Sequence, residues 1–291
     1  METDNRYPIY ILSKGRWKNC LTAKCLIRSN VPFHLVVETQ EVELYAKTFG
    51  KERLLVLPPE ATGKGAIPVR NWIWEHSVKN GDERHWQLDD NLINVFRYYK
   101  GNRVYCKAGV AFRVVEDFTD RYENIGISGM NYTMFCVFEK KPFRLNCHVY
   151  SNLLLKNDMP YRFRGKTNAD TDLCLQVLSS GKLCTIQVNA FLVDKMGTMK
   201  MKGGNTDNYK GDDGRLNMAK ELQQRWPRVV SVDRRWSRPQ HVIKKQWKRF
   251  DTPLVRRKDI DFSKLKKVDD YGLKLHQRRP IKKGRSSILD Q

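Results

Sequence analysis

Four short apolar runs, each stopped by polar residues and separated from the next by a helix-like stretch, constrain this chain most. Tyr7–Leu12 gives way to Ser13-Lys14-Gly15-Arg16, and Phe33–Val37 ends on Glu38. Arg53–Leu57 stops at Pro58-Pro59, and His85–Leu88 runs into Asp89-Asp90-Asn91. Between them Cys20–Arg28, Val42–Phe49 and Val69–Lys79 carry helical spacing, the second stopped by Gly50. Strands alternating with helices of this length predict the α/β class, with a mostly parallel central sheet and helices on both sides. Ligands of such folds lie beyond the carboxyl ends of the strands. The residues that stop the strands are therefore the first candidates for chemistry.

The second half is patterned differently. Helices are predicted over Val110–Tyr122, Ala169–Leu178 (followed by Gly181) and Leu216–Trp226. Strands are predicted over Asn124–Ser128, Thr133–Phe138, Phe143–Leu155 and Leu183–Val193. Residues 197–214 read as a long polar loop, and loops of that length are usually functional or mobile. Residues 1–225 are expected to form one domain, with one half over 1–100 and a second half over 101–225.

Charge narrows the class of partner. The 291 residues carry 54 Lys and Arg against 32 Asp and Glu, a net of +22. Residues 225–285 alone hold 21 Lys or Arg and 6 Asp, so this basic C-terminal extension supplies +15 of the excess. Trp226, Trp236, Trp247, Phe250, Phe262 and Tyr271 are interleaved with those cations. Cations among aromatics suit phosphate contact and base stacking together, which points to a nucleic acid. Arg234, Arg235, Trp236, Lys244, Lys245, Trp247 and Lys248 are the candidate contacts. No apolar stretch approaches the roughly 20 residues that span a bilayer, and Met1–Arg6 lacks a signal-peptide pattern. The seven scattered Cys form no Cys-x-x-Cys pair, so reduced buried thiols in a cytoplasmic protein are expected.

The strand ends carry specific chemistry. Ser13, Lys14, Gly15 and Arg16 combine a hydroxyl, a flexible residue and two cations, suited to the phosphates of a nucleotide. Glu38 can accept from a base or ribose. Arg70 and Asn71 open a helix, where a guanidinium and helix amides can meet a phosphate. Adjacent Asp89 and Asp90 repel each other, and a divalent cation, Mg²⁺ or Mn²⁺, resolves the conflict. A helix cap at Asp90 or Asn91 is the bland alternative. Asp170, at the start of the Cys174 helix, either caps that helix or serves as a base.

In this order the pieces resemble the GT-A type nucleotide-sugar-binding fold, and more narrowly the TET-associated glycosyltransferases of bacteriophages. The residues that carry the resemblance are Ile9–Arg16, Pro68-Val69-Arg70-Asn71, Leu88-Asp89-Asp90-Asn91, Ala169–Leu173, and Arg238-Pro239-Gln240-His241 followed by Lys245, Trp247 and Phe250. The resemblance implies transfer of a sugar from a UDP-sugar to a hydroxymethylated pyrimidine, 5-hydroxymethylcytosine, in phage DNA within the host cytoplasm. It implies Asp170 as general base with Asp172 in reserve, a metal on Asp90 and His241, and Asp89 near the ribose. It places residues 226–291 at both the active site and the nucleic acid. Gly126–Gly129 and Asn131 either line the donor sugar or form a tight turn, and 197–214 is a candidate lid. Where GT-A enzymes often carry Asp-x-Asp, the third position here is Asn91. The competing readings are a protein, polysaccharide or small-molecule acceptor on the same fold, or a DNA-binding protein without catalysis.

Overall fold

In the computed structural model, residues 5–136, 141–197, 200–204, 211–235, 237–244 and 246–275 are described. The first half builds strands β1 (Ile9–Leu12), β2 (His34–Val37), β3 (Leu54–Val56) and β4 (Arg84–Asp89), with helices α1 (Leu21–Arg28), α2 (Val42–Phe49) and α3 (Ala66–Lys79) between them. Helix α3 begins three residues before its apolar spacing suggests. Pro68 lies in the first turn, where a missing N–H costs no hydrogen bond.

A hairpin follows, β5 (Leu92–Tyr99) and β6 (Asn102–Cys106), then α4 (Ala108–Thr119). Lys100 (φ 47°) and Gly101 (φ 83°) form its turn, and two consecutive left-handed residues match the twist of antiparallel strands. Next come β7 (Ile125–Tyr132), β8 (Phe143–Leu145), β9 (Asn152–Lys156), α5 (Ala169–Ser179), β10 (Cys184–Lys195), α6 (Gly211–Arg225), β11 (Val230–Arg235) and β12 (Arg238–Ile243). The strand expected at 133–138 is a 3-10 turn over Thr133–Phe135, and Val137 and Phe138 lie outside the described residues. The run expected over 143–155 is two strands, parted by a segment in which Asn146 and Ser151 take left-handed backbone.

The large sheet runs β3-β2-β1-β4-β9-β7-β10-β5-β6, with β8 also on β10. Strand β1 pairs parallel with β2 and β4, β2 with β3, and β7 with β10. Strand β9 is antiparallel to both β4 and β7. Two reversals restore direction, so β1, β2, β3, β4, β7 and β10 all end at one edge of the sheet. The segment entering β9 starts from that same edge. Alternation sorts the layers: Ile9, Ile11, Leu35 and Val37 face α1, α2 and α4, while Tyr10 and Val36 pack with Val69 and Ile73 of α3. A further cluster joins Trp74 of α3 to Leu173, Cys174 and Val177 of α5. All seven Cys are free thiols and six are buried.

The C-terminal region is fastened to this body. The β11–β12 hairpin packs Val230 and Ile243 with Leu222 of α6, Trp226 just past the end of α6, and Leu175 and Leu178 of α5. Residues beyond it return to the main core through Leu254 and Leu273, and Asn124 exchanges hydrogen bonds with Pro253 O (2.8 Å) and Val255 N–H (2.8 Å).

Two buried acids hold elements together. Glu116 of α4 accepts from Arg6 N–H (2.7 Å), Tyr7 N–H (3.5 Å) and Trp86 Nε1–H (2.8 Å), tying the N-terminus and β4 to α4. Burial outweighs these donors and pushes its carboxyl up to about 7. Its folded-state value thus exceeds that of the unfolded chain, so its contribution to stability is greatest at low pH and is lost as pH rises toward 7. Thermal midpoints of the wild type and Glu116→Gln, compared from pH 4.5 to 8, should show the wild type's relative stability falling by up to about 3 kcal/mol.

Asp172 of α5 is fully buried and accepts from Arg164 Nε–H (2.9 Å), Gln176 Nε2–H (2.8 Å) and Trp226 Nε1–H (2.7 Å). It therefore clamps α5 to α6 and to the approach to β11. Asp172→Ala should lower stability by about 3 kcal/mol or more, since it strands buried donors and a guanidinium. Chemical denaturation measures the loss.

Candidate functional site

At the common edge lies a cavity of about 410 Å³. The first four strands contribute Ser13, Lys14, Arg16, Glu38, Asp89, Asp90 and Asn91, and α3 contributes Arg70. The opposite wall is Tyr132 from the end of β7, Tyr150 and Ser151 before β9, Asn168–Thr171 at the start of α5, and Lys195 at the end of β10. Residues 13–16, 70 and 89–91 therefore meet where strand-end reasoning expects.

Asp89 is the centre of the arrangement. Its Oδ1 accepts from Arg70 Nη2–H (2.7 Å), and its Oδ2 from Lys195 Nζ–H (3.0 Å) and from Ser151 Oγ–H. Burial opposes its charge, but the Lys195 ammonium and the Arg70 guanidinium outweigh it and hold the carboxyl well below the usual carboxylate range. Reciprocally, burial alone would lower Lys195, yet Asp89 beside it keeps the ammonium above its ordinary value. Lys195 also donates to Ser151 Oγ and lies 3.4 Å from Tyr132 Oη. Ser151 takes φ 58°, a left-handed conformation that costs a residue with a side chain of order 1 kcal/mol. That turn lets its carbonyl accept from Asp89 N–H (2.8 Å) while its own N–H reaches Asp170 Oδ2 (3.1 Å).

Asp170 does not cap α5. No side chain bonds that helix start, and its Asn168 cap residue is left-handed. The Asp170 carboxylate faces the cavity, 3.9 Å from Arg70 Nη2. Burial is the largest influence on it and raises its pKa; Arg70 opposes and Asp89 reinforces that rise. Asp172, two residues on, projects elsewhere. Successive positions two apart lie on different helix faces, and its carboxylate is consumed by the clamp described above. It is not part of this site.

The expected nucleotide residues divide into those that face the cavity and those that brace it. Lys14 pairs with Glu38 (2.9 Å), which also accepts from Gly63 N–H (2.9 Å) and the Gln40 amide. Burial would raise Glu38, but Lys14 and these donors hold it below its ordinary value. Gly15 (φ 67°) offers its N–H to Glu41 (2.8 Å), and its backbone supports the 200–204 segment. Asn71 is not a phosphate ligand here. Its amide donates to Phe163 O (2.8 Å) and accepts from Phe163 N–H (3.0 Å), clasping a backbone segment instead.

Asp90 is buried, paired with Arg16, and accepts from Ser13 Oγ–H (2.9 Å). Burial pushes its carboxyl above the ordinary value even so. Asn91 spends its amide N–H on Met196 O (2.9 Å), and its Oδ1 is buried without a partner. His241 of β12 lines the cavity, and burial lowers its pKa to about 4, so the imidazole is neutral near pH 7. Among the described residues there is no group of three or more His, Cys, Asp or Glu able to hold a metal. The donors expected to hold a metal do not fit a divalent cation: Asp90 is paired with Arg16 and Asp89 with Arg70 and Lys195, which leaves of that set only the Asn91 amide oxygen and the His241 imidazole.

Gly126 and Gly129 answer to packing. A Cβ on Gly129 would lie 2.1 Å from Asn152 O, and one on Gly126 would lie 2.6 Å from Met159 Sδ. Of the expected lid, residues 200–204 already rest on the Ser13–Arg16 loop. Arg16 donates to Lys202 O (3.2 Å) and Gly203 O (2.9 Å), and Gly204 N–H reaches Lys14 O (3.0 Å). Residues 198–199 and 205–210 lie outside the described residues, and 211–214 open α6.

Of the candidate nucleic-acid contacts, Arg234, Arg235, Lys244 and Lys248 are exposed. Trp247 is partly buried against Phe250 (6.0 Å between ring centroids) and His148 (5.3 Å), so it anchors the extension and is not a free stacking surface. Trp236 and Lys245 lie outside the described residues.

Lys195, Ser151, Tyr132 and Tyr150 were not legible as site residues. Lys195 did leave a signal: it ends the longest apolar strand, in the position that Asp89 occupies in β4. Tyr132 ends β7, and Tyr150 and Ser151 lie just before β9, so the pairing of those strands had to be known first. Among the described residues no helix is long and apolar enough to cross a membrane. No curated protein matches the chain. The family model described as TET-Associated Glycosyltransferase matches residues 7–204, which include strands β1 to β10. The chain belongs to the TET-associated glycosyltransferase family.

Proposed function

We propose that this glycosyltransferase moves a sugar from a UDP-sugar to the hydroxyl of a hydroxymethylated pyrimidine, 5-hydroxymethylcytosine, in DNA. The observation that carries the reading is the pair of carboxylates Asp89 and Asp170 on either side of Arg70, in a strand-end cavity also lined by Lys14, Glu38 and Lys195. Such a cavity has the size usual for cofactor-like ligands. Glu38 and Asp89 are suited to accept from donor hydroxyls or base N–H groups. Lys14, Arg70 and Lys195 supply the positive field a diphosphate needs.

In this reading the acceptor hydroxyl attacks the anomeric carbon, the bond from that carbon to the phosphate oxygen breaks, and the nucleoside diphosphate leaves with the electron pair. Asp170 takes the hydroxyl proton. Its raised pKa makes it a stronger base than an ordinary aspartate, and the Ser151 N–H fixes its orientation. The acceptor assignment draws support from charge. The β11–β12 hairpin bears exposed Arg234, Arg235 and Arg238, and the same hairpin sends His241 to the cavity. A polyanion held on that hairpin is thereby brought to the cavity mouth.

Incubation of the protein with hydroxymethylcytosine DNA and a panel of UDP-sugars, followed by mass analysis of nucleosides, should show a hexose adduct absent from unmodified DNA. Binding to DNA should weaken steeply from low to moderate salt, because phosphate contacts release counterions. Asp170→Asn should cut turnover by about 100-fold or more while donor binding stays within a few fold. The wild-type kcat/KM should fall as pH drops through the Asp170 pKa, above the value of about 4 usual for an aspartate, since only the ionised form accepts a proton. Turnover by Asp170→Asn at the wild-type rate rejects the assignment.

A further inference from the structure

We infer that Lys195 takes the part of a divalent cation in this site: its ammonium, held by Asp89 and Ser151, neutralises the departing diphosphate, and sugar transfer proceeds without metal. This rests on the glycosyltransferase reading above and names the group that stabilises its leaving charge. The carboxylates that would ligate a metal are already neutralised by the protein's own cations. Arg16 and Asp90 form a pair in which both side chains are nearly inaccessible, 6% and 7% exposed. Asp89 is shared between Arg70 (2.7 Å) and Lys195 (3.0 Å), and Glu38 is paired with Lys14 (2.9 Å). A divalent ion on Asp89 would have to expel one of these cations or sit against it.

Lys195 is also deliberately placed. The pairing of β10 with β5 slips between Asp194 and Lys195, whose partners are Asn94 and Leu92, so the ladder is interrupted at the rim by the extra residue Ile93 of β5, opposite the end of β10. The ammonium stays 17% exposed and lines the cavity, with Asp89 and Ser151 fixing its position. A fixed ammonium acts in the same sense as a metal: it is oriented before the reaction and needs no reorganisation when the charge develops. The bond changes are those already given. The carbon–oxygen bond to the diphosphate breaks with its electron pair going to oxygen, Lys195 stays protonated, and the acceptor proton goes to Asp170.

The test uses the full-length protein dialysed against EDTA, with UDP and inorganic pyrophosphate as probes in titration calorimetry, with and without added MnCl₂ or MgCl₂. Wild-type affinity for both probes should change less than twofold on adding metal. Lys195→Met should bind each at least tenfold more weakly, and Lys195→Arg should recover most of the loss. A tenfold or greater gain with metal overturns the proposal, as does Lys195→Met binding like the wild type or no detectable binding of either probe by metal-free protein. The metal dependence of the wild type decides the matter even if Lys195→Met fails to fold. Intact, metal-independent, Lys195-dependent binding without transfer to hydroxymethylcytosine DNA would remove the acceptor reading and leave this one standing.

Discussion

The Asp89 carboxylate is the point on which the two halves of the molecule depend. It ends β4, receives Arg70 from α3, Lys195 from β10 and the Ser151 hydroxyl from the turn before β9. Elements distant in sequence thus meet at one partly buried anion. A carboxylate taken from water this way is tolerable only with partners, and each cation is tolerable there only because of the carboxylate. The first four strands are parallel and would form a crevice by themselves. The antiparallel insertion of β9, and the return to parallel at β7 and β10, bring a second set of strand ends to the same edge. That topology gives the crevice its second wall.

How far the sequence revealed this follows from range of interaction. Elements of the first half were legible because each is locally determined: Ile9–Leu12 and Leu35–Val37 are uniformly apolar, Gly50 stops α2, and Asp89 directly terminates β4. The hairpin β5–β6 was not assigned, since its strands mix Arg97, Arg103 and Asn102 with aromatics and blur the alternation at an edge of the sheet. The site was half legible for the same reason. Asp89, Arg70 and Asp170 stand next to punctuation in the sequence, at strand ends and helix starts. Lys195 and Ser151 acquire meaning only once β10 is set parallel to β7 and β9 antiparallel to β4. Those pairings depend on contacts across 58 to 72 residues, which no local pattern encodes.

The C-terminal region shows how one composition serves two purposes. Its aromatics and cations suggested a stacking platform, yet the described aromatics turn inward: Trp226 and Phe250 pack under the β11–β12 hairpin, and Phe262 and Tyr271 pack against the main core. The cations stay outside. Burial of ring surface fastens the extension, at about 25 cal/mol per Å² of apolar area removed from water, while the exposed guanidinium and ammonium groups keep the positive field. Sequence interleaving of Trp and Arg follows from strand and loop geometry, in which neighbours point opposite ways. It does not by itself make a base-stacking surface.

Asp170 and Asp172 make the same point at the scale of one helical turn. Both are carboxylates in the first turn of α5, and both are removed from bulk water. Asp172 meets Arg164, Gln176 and Trp226, so its charge is spent on joining elements. Asp170 meets one backbone N–H at 3.1 Å and a guanidinium at 3.9 Å that is already shared with Asp89. Under-satisfied and facing the cavity, it retains the affinity for a proton that Asp89 has surrendered to Lys195 and Arg70. Two acids a few ångströms apart are thus driven in opposite directions by their partners, one to a permanent anion that orders cations and the other to a carboxyl of raised proton affinity, as the proposed base requires. That division of labour requires Arg70 to favour Asp89, and the Ser151 backbone, strained into its left-handed turn, keeps the two carboxylates from exchanging roles.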